Sequence, residues 1–267
     1  MTAQPKEAPS EPLVLTHLAD GVMHVTMNRG PQRNALSIAL MTALEEALDR
    51  AAADAATRVV VIAGSGPGFC AGHDLKELRA NPGEAFYRRT FEQCSRMMTK
   101  VVRLPKPVIA RIHGIATAAG CQLVASCDLA IASDAAQFAT PGVNIGLFCS
   151  TPMVALSRAV GRKTAMEMLL TGEMVPAARA RELGLINRVV SAAELDQSIA
   201  ALAQQIVSKS PLTLKIGKEA FYRQAEMGLD DAYAYAAEVM TRNMMARDAA
   251  EGIDAFIEKR HPTWCGA

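Results

Sequence analysis

The sequence predicts an α/β fold, with a parallel sheet at its centre and a helical appendage behind it. Three observations carry this. Residues 59–63, 107–112 and 128–132 are continuous apolar runs, the pattern of strands buried on both faces. Helix-type segments fall between them, at about 84–103 and 119–126, giving β-α-β-α-β order and right-handed parallel crossovers. From about residue 152 onward strand signals almost vanish and helical periodicity takes over.

In chain order, residues 13–18 and 22–27 read as short strands joined by an Ala19-Asp20-Gly21 turn. Ser37 is a good N-cap, and Leu40, Leu44, Ala47 and Leu48 recur on one helix face after it. After the three buried runs, helices are expected at 153–160, 163–170, 177–183, 193–208, 211–224 and 230–259. Gly161, Gly172, Gly184 and Gly228 punctuate them, and Pro211 follows Ser210 at a helix start. Met227, Met240, Met244 and Met245 lie on the late helices. They read first as core filling, since apolar helix faces are usually internal, with a face packed on another subunit as the alternative. Residues 1–11 read as a polar, Pro-containing flexible tail, 12–205 as the core and 206–267 as a helical oligomerisation region.

Composition excludes some classes. Lys+Arg number 28 against 27 Asp+Glu, and aromatics make up 4%, so neither a basic footprint nor a stacking surface points to nucleic acid. No apolar stretch reaches membrane-spanning length without charges or turn residues, so no membrane partner is expected. The six cysteines form no CxxC pair and no zinc-type spacing with histidine, so no metal is expected. Without a signal peptide, they read as reduced thiols of a cytoplasmic protein.

Two glycine-containing loops, 64–75 and 113–123, each follow a buried strand and lead into a helix. Small residues there let backbone approach a ligand, and a new helix leaves free N–H groups. Together two such loops can aim two donors at one oxygen, which is what a developing oxyanion needs. Each loop alone is more often only a turn. Neither a GxGxxG with a following acidic residue nor a Walker-A lysine is present, which argues against a nicotinamide or nucleotide site.

Several segments in order resemble one family. Asn28-Arg29-Gly30-Pro31-Gln32-Arg33-Asn34-Ala35-Leu36-Ser37, Phe69-Cys70-Ala71-Gly72-His73-Asp74-Leu75, and Lys106-Pro107 through Ala118-Ala119-Gly120-Cys121 are similar to segments of the crotonase (enoyl-CoA hydratase/isomerase) superfamily. Phe138 to Gly146, Leu170-Thr171-Gly172 and Glu251 to Arg260 continue the resemblance, which spans nearly the whole chain from about residue 12. The resemblance implies a ββα superhelix with a C-terminal helical trimerisation region, assembled as a homotrimer or a hexamer. It implies an acyl-CoA substrate, with coenzyme A as part of the substrate and no separate cofactor. It assigns the oxyanion donors to the main-chain N–H groups of His73 and Ala119. Substrate contacts fall to Arg33, Ala35, Ala71, Gly72, Gly120, Gly142 and Asn144, and to Lys259 of a neighbouring subunit on a CoA phosphate.

The pattern departs from the family at two points. Hydratases of the family carry two glutamates; Gln122 and Gly142 stand in those places here. The whole pattern is similar to the enoyl-CoA-hydratase-domain-containing subgroup, whose motifs share this loss. An amide has no usable pKa near neutrality, although it can orient water or a carbonyl. Losing a general acid/base forfeits about 10²–10⁴ in rate, so efficient hydration is not expected. The His73 ring either sits at the site or turns into a helix–loop contact; Cys121 and Cys149 are candidate nucleophiles or inert buried thiols. Thr140 and Ser150 are candidates to line the acyl pocket, Asp74 reads as a helix cap, and His113 as a structural histidine. The leading expectation is a lyase or isomerase that stabilises a thioester enolate. The alternatives are a malonyl-type acyl-CoA decarboxylase, which needs no base to begin, and a weakly catalytic CoA-ester-binding protein.

Overall fold

A computed structural model describes residues 11–267; the tail expected at 1–11 lies outside them apart from its last residue. The first hairpin pairs β1 (Val14–Ala19) with β2 (Val22–Met27) antiparallel. Its turn is shorter than expected, because Asp20 and Gly21 both take positive φ (48° and 77°), the conformation of a two-residue hairpin turn. Helix α1 (Ile38–Ala53) starts at Ser37, whose hydroxyl accepts the N–H of Leu40 at 3.2 Å. Next come β3 (Val59–Gly64), β4 (Gly68–Cys70), α2 (Leu75–Ala80) and α3 (Glu84–Arg103). They are followed by β5 (Val108–Ile112), β6 (Ile115–Thr117), α4 (Ala119–Ser126), β7 (Leu129–Ser133) and β8 (Gln137–Ala139).

Past a 3-10 turn at Pro141–Ile145 the chain is mostly helical: α5 (Pro152–Ala159), α6 (Arg162–Thr171), β9 (Val175–Pro176), α7 (Ala177–Glu182) and β10 (Arg188–Val190). The helices α8 (Leu195–Val207), α9 (Pro211–Gln224), α10 (Leu229–Met244) and α11 (Arg247–Glu258) complete it. The fold is α/β, with the ββα repeat and the helical C-terminal region that the sequence implied.

Six strands form one sheet in the order β1-β2-β3-β5-β7-β10, parallel from β2 onward. The apolar runs of β3, β5 and β7 are buried on both faces, as expected. Val60, Ile62, Val108 and Ala110 pack into the main core with α1, α3 and α4. The alternate residues Val59, Val61, Ile109 and Ile131 pack under Leu195, Ile199 and Leu202 of α8.

Four features depart from expectation. A second sheet, β4-β6-β8-β9, runs through the glycine loops, which each conceal a three-residue strand. Such strands are too short to carry a periodicity of their own. The late helical region also holds β10, which extends the large sheet beside β7 by pairing alone. The helix expected over 230–259 is two helices, α10 and α11, with no glycine or proline at the break. The start of α11 is fixed by tertiary bonds instead: the buried Asp248 carboxylate accepts from Ser210 Oγ, Cys265 N and Gly266 N. Finally, Met240, Met244 and Met245 are exposed (62%, 49% and 83%), so they do not fill this chain's core.

The appendage is tied to the core by Lys218 of α9. Its Nζ donates to Asp128 Oδ2 (2.6 Å) and to the carbonyls of Val101 and Lys106, while Tyr222 donates to Asp128 Oδ1. Among the described residues no helix is long and apolar enough to cross a membrane.

Candidate functional site

The two glycine loops meet, and Asn34 sets the first of them. This side chain is wholly buried at a left-handed backbone position (φ 54°). Its Oδ1 accepts the N–H of Arg29 at 2.9 Å, and its Nδ2 faces the carbonyls of Ser65, Gly68 and Phe69 at 2.9–3.0 Å. The main chain of Ala71 donates to Arg33 O at 3.0 Å, so Arg33, Ala35 and Ala71 lie on two adjoining segments. Arg33 is exposed; Ala35 and Ala71 are half-buried.

Gly72 accepts from Leu36 N at 2.7 Å, and Asp74 N donates to Leu36 O at 3.1 Å. This parallel bridge uses the peptide groups on either side of His73 and leaves the His73 N–H turned away from Leu36. Asp74 then caps α2, accepting from Lys76 N and Glu77 N, as expected. Arg29 bonds the same carboxylate at 3.0 Å. Burial pushes the Asp74 carboxyl up, but Arg29 and the helix N–H groups outweigh it and hold it low, unsuited to act as a base.

The second loop reaches the first at Gly72. A β-carbon on Gly72 would stand 2.8 Å from Ala118 Cβ and 3.4 Å from Ala119 N, with φ at +94°. Only glycine allows that approach. Ala118 itself is held at φ 50°, ψ −118°, a costly conformation for alanine, with its N–H on Ala139 O at 2.9 Å. The strain turns the following peptide so that Ala119 N becomes the first N–H of α4. Among the described residues neither the His73 N–H nor the Ala119 N–H has a protein acceptor. Gly120 packs against the first loop: a β-carbon there would stand 2.1 Å from Cys70 O.

Around these donors the wall is apolar and neutral. The His73 ring meets Phe91 of α3 edge-on at 5.3 Å, the helix–loop contact weighed from the sequence. Both ring nitrogens are buried without a partner. Burial pushes the ring down to about 4, although the Leu36 main chain, too poorly placed for a hydrogen bond, opposes this. Gln122 is 4% exposed, with Cys94 Sγ 4.0 Å from its Oε1. Gly142 is buried, and a β-carbon there would meet Leu147 O at 2.5 Å and Cys149 Sγ at 2.9 Å. The place of the second family glutamate is therefore filled by main chain and a thiol.

Burial raises the Cys121 thiol to about 12 and raises Cys149 as well, so both read as inert. Thr140 Oγ1 is buried without a partner, while Ser150 is exposed and bonds Phe148 O. His113 is only half satisfied: one ring nitrogen lies 2.8 Å from Gly66 O and the other is buried alone. Asn144 is exposed beside Gly172. Lys259 is exposed and caps α11 in a left-handed turn, on a helix that packs against α9 and α10. Among the described residues no three His, Cys, Asp or Glu side chains converge as metal ligands.

Sequence reasoning missed Asn34 as the hub of the first loop, the strain at Ala118, and the α3 wall of Phe91 and Cys94. An asparagine before a helix, inside a run of short residues, was the one available signal for the hub.

Residues 17–267 match the enoyl-CoA hydratase/isomerase family. The chain is 45% identical over 264 residues to Enoyl-CoA hydratase domain-containing protein 3, mitochondrial, of Rattus norvegicus, covering 98% of this chain and 88% of that protein. Among solved structures it resembles an enoyl-CoA hydratase of Mycobacterium smegmatis at 54% identity and TM-score 0.93, covering 95% and 99% of the two chains. It also resembles human enoyl Coenzyme A hydratase domain-containing protein 3 at 44% identity and TM-score 0.92, covering 94% and 100%.

Proposed function

The chain belongs to the enoyl-CoA hydratase/isomerase family, and from that premise we propose that it binds an acyl-CoA thioester and stabilises its enolate between the main-chain N–H groups of His73 and Ala119. The observation that supports this reading is the approach of Gly72 to Ala118 and Ala119, next to two main-chain N–H groups without a protein acceptor. Donors fixed before the reaction need no reorganisation when charge develops on the thioester oxygen.

The coenzyme A moiety runs along Arg33, Ala35 and Ala71, as part of the substrate. Residues 206–267 serve assembly into a trimer or a pair of trimers. Phe221, Tyr233, Met240, Met245 and Phe256 are all more than 60% exposed there, which supports a covering subunit. In such an assembly a neighbour's Lys259 supplies charge to a CoA phosphate.

Enolate formation does not require water activation. With Gln122 and Gly142 in the family's carboxylate positions, hydration of an enoyl-CoA is slow. Loss of carbon dioxide from a malonyl-type thioester forms the enolate without a base and is within reach of the donor pair; proton exchange at Cα and isomerisation follow only where water or buffer takes the Cα proton. The filled space at Gly142 also favours a second reading, a CoA-ester-binding protein with little turnover.

The test uses purified protein with crotonyl-CoA, methylmalonyl-CoA and butyryl-CoA, following hydration, carbon dioxide release and deuterium uptake at Cα. Deuterium uptake or carbon dioxide release with slow hydration is the expected result. Binding without any of the three reactions selects the second reading. Absence of binding to every thioester overturns both.

A further inference from the structure

Gln122 lies three residues into α4 from Ala119, about 4.5 Å along the helix axis. At this i,i+3 spacing the Gln122 side chain and the Ala119 N–H share one face at the start of α4. The residue is buried, and Cys94 of α3 faces one end of its amide, with Sγ 4.0 Å from Oε1, the outer limit of a sulfur hydrogen bond. Cys94 is fully buried, and burial, then Cys70 and Glu45, push its thiol up to about 12, so it stays S–H at neutral pH. An amide facing a thiol proton turns its oxygen toward it, which directs Nε2 away from α3. Among the described residues Nε2 makes no hydrogen bond, and it is not one of the side-chain nitrogens sealed from solvent without a partner. Where the family's glutamate would present an acceptor, this pocket presents an N–H donor.

The His73 ring belongs to the same wall. Phe91 precedes Cys94 by three residues on α3, hence on the same helix face, and it meets the ring edge-on. One turn of α3 thus backs both the Gln122 amide and an imidazole whose nitrogens have no partner.

We infer that the acyl group carries a second hydrogen-bond acceptor on Cα, a carboxylate in the first instance, held by Gln122 Nε2, and that Cys94 is the positioning residue that fixes the direction of the amide. This rests on the acyl-CoA reading above and narrows it. A donor amide is matched by a carboxylate, whereas a glutamate at 122 repels one; an aliphatic acyl group offers the amide no partner.

The experiment compares malonyl-CoA with isovaleryl-CoA, which has nearly the same shape but no second acceptor. Dissociation constants are measured by calorimetry, or KM is used if malonyl-CoA loses carbon dioxide on the protein. The wild type is expected to favour malonyl-CoA by about tenfold or more, the size of one charge-assisted hydrogen bond. Gln122→Glu removes or inverts the preference while isovaleryl-CoA binding persists. Cys94→Ala, which frees the amide to flip, weakens the preference, and Cys94→Ser, which restores a donor, keeps it. Equal binding of the two thioesters by the wild type, or a malonyl preference that survives Gln122→Glu, overturns the inference. A Cys94→Ser variant as unselective as Cys94→Ala overturns the role of Cys94. Isovaleryl-CoA binding without preference sinks this inference alone, whereas failure of both thioesters to bind sinks the acyl-CoA reading with it.

Discussion

The Cys149 thiol occupies the space into which a side chain on Gly142 would grow, 2.9 Å from the position of its β-carbon. The Leu147 carbonyl, at 2.5 Å, closes the same space with main chain, and Leu147 N is bonded back to Gly142 O at 2.9 Å. The missing carboxylate is thus not a vacant position waiting for a side chain.

Gly142→Glu is expected to destabilise the protein by about 1–3 kcal/mol, the usual cost of forcing atoms into a packed interior. It should not raise crotonyl-CoA hydration, alone or combined with Gln122→Glu. Thermal unfolding and a hydration assay check this. A soluble, equally stable Gly142→Glu protein with fast hydration would show that the 142–149 turn yields easily.

Gly72→Ala tests the donor pair. The new methyl group meets Ala118 Cβ at 2.8 Å on a backbone with φ +94°, so the two loops are pushed apart. Deuterium uptake at Cα of butyryl-CoA is expected to fall about 10²–10³-fold, the cost of losing one oxyanion donor. Uptake at the wild-type rate would place the enolate elsewhere.

Asn34→Asp changes one atom and reverses the polarity of the hub. A carboxylate oxygen would then face the carbonyls of Ser65, Gly68 and Phe69, which now accept from Nδ2. The loss is expected to reach about 3 kcal/mol or more, since a buried charge without donors adds to the lost bonds. Urea unfolding measures it. A midpoint within error of the wild type would remove Asn34 as the anchor of the first loop.

His73 gives a pH signature. Its ring takes a proton near 6.5 when exposed but only near 4 in the folded protein, because burial disfavours the cation. The unfolded chain binds the extra proton between these values, so the ring's contribution is complete above pH 6.5 and lost as pH falls toward 4. The loss at pH 4 should be about 1–3 kcal/mol and should vanish in His73→Gln. Denaturant unfolding of both proteins at pH 7 and pH 4.5 decides it; identical pH dependence in the two would show that the ring is not desolvated.

The central strands of the large sheet, β3, β5 and β7, were legible because burial on both faces leaves an unbroken apolar run, as at 59–63. The Ser37 cap was equally plain, since capping is local chemistry. The break between α10 and α11 was not, because helical periodicity continues across it and Asp248 is fixed by Ser210 and the distant Cys265 and Gly266. The small sheet was hidden for a related reason. Strands of three residues at Gly68–Cys70 and Ile115–Thr117 gain their meaning only from each other.

At the site, the residue types came from the sequence and their condition from the fold. Gln122 and Gly142 in the places of two carboxylates, and glycine-containing loops ahead of two helices, are facts of residue order. Residue order also makes Asp74 a helix cap. The tertiary structure alone decided that Gly142 is walled by Cys149, that Cys94 reaches the Gln122 amide, and that the His73 ring is neutral against Phe91. Each of these joins segments tens of residues apart or depends on the exclusion of water. Packing creates such relations between segments, and local propensity carries no record of them.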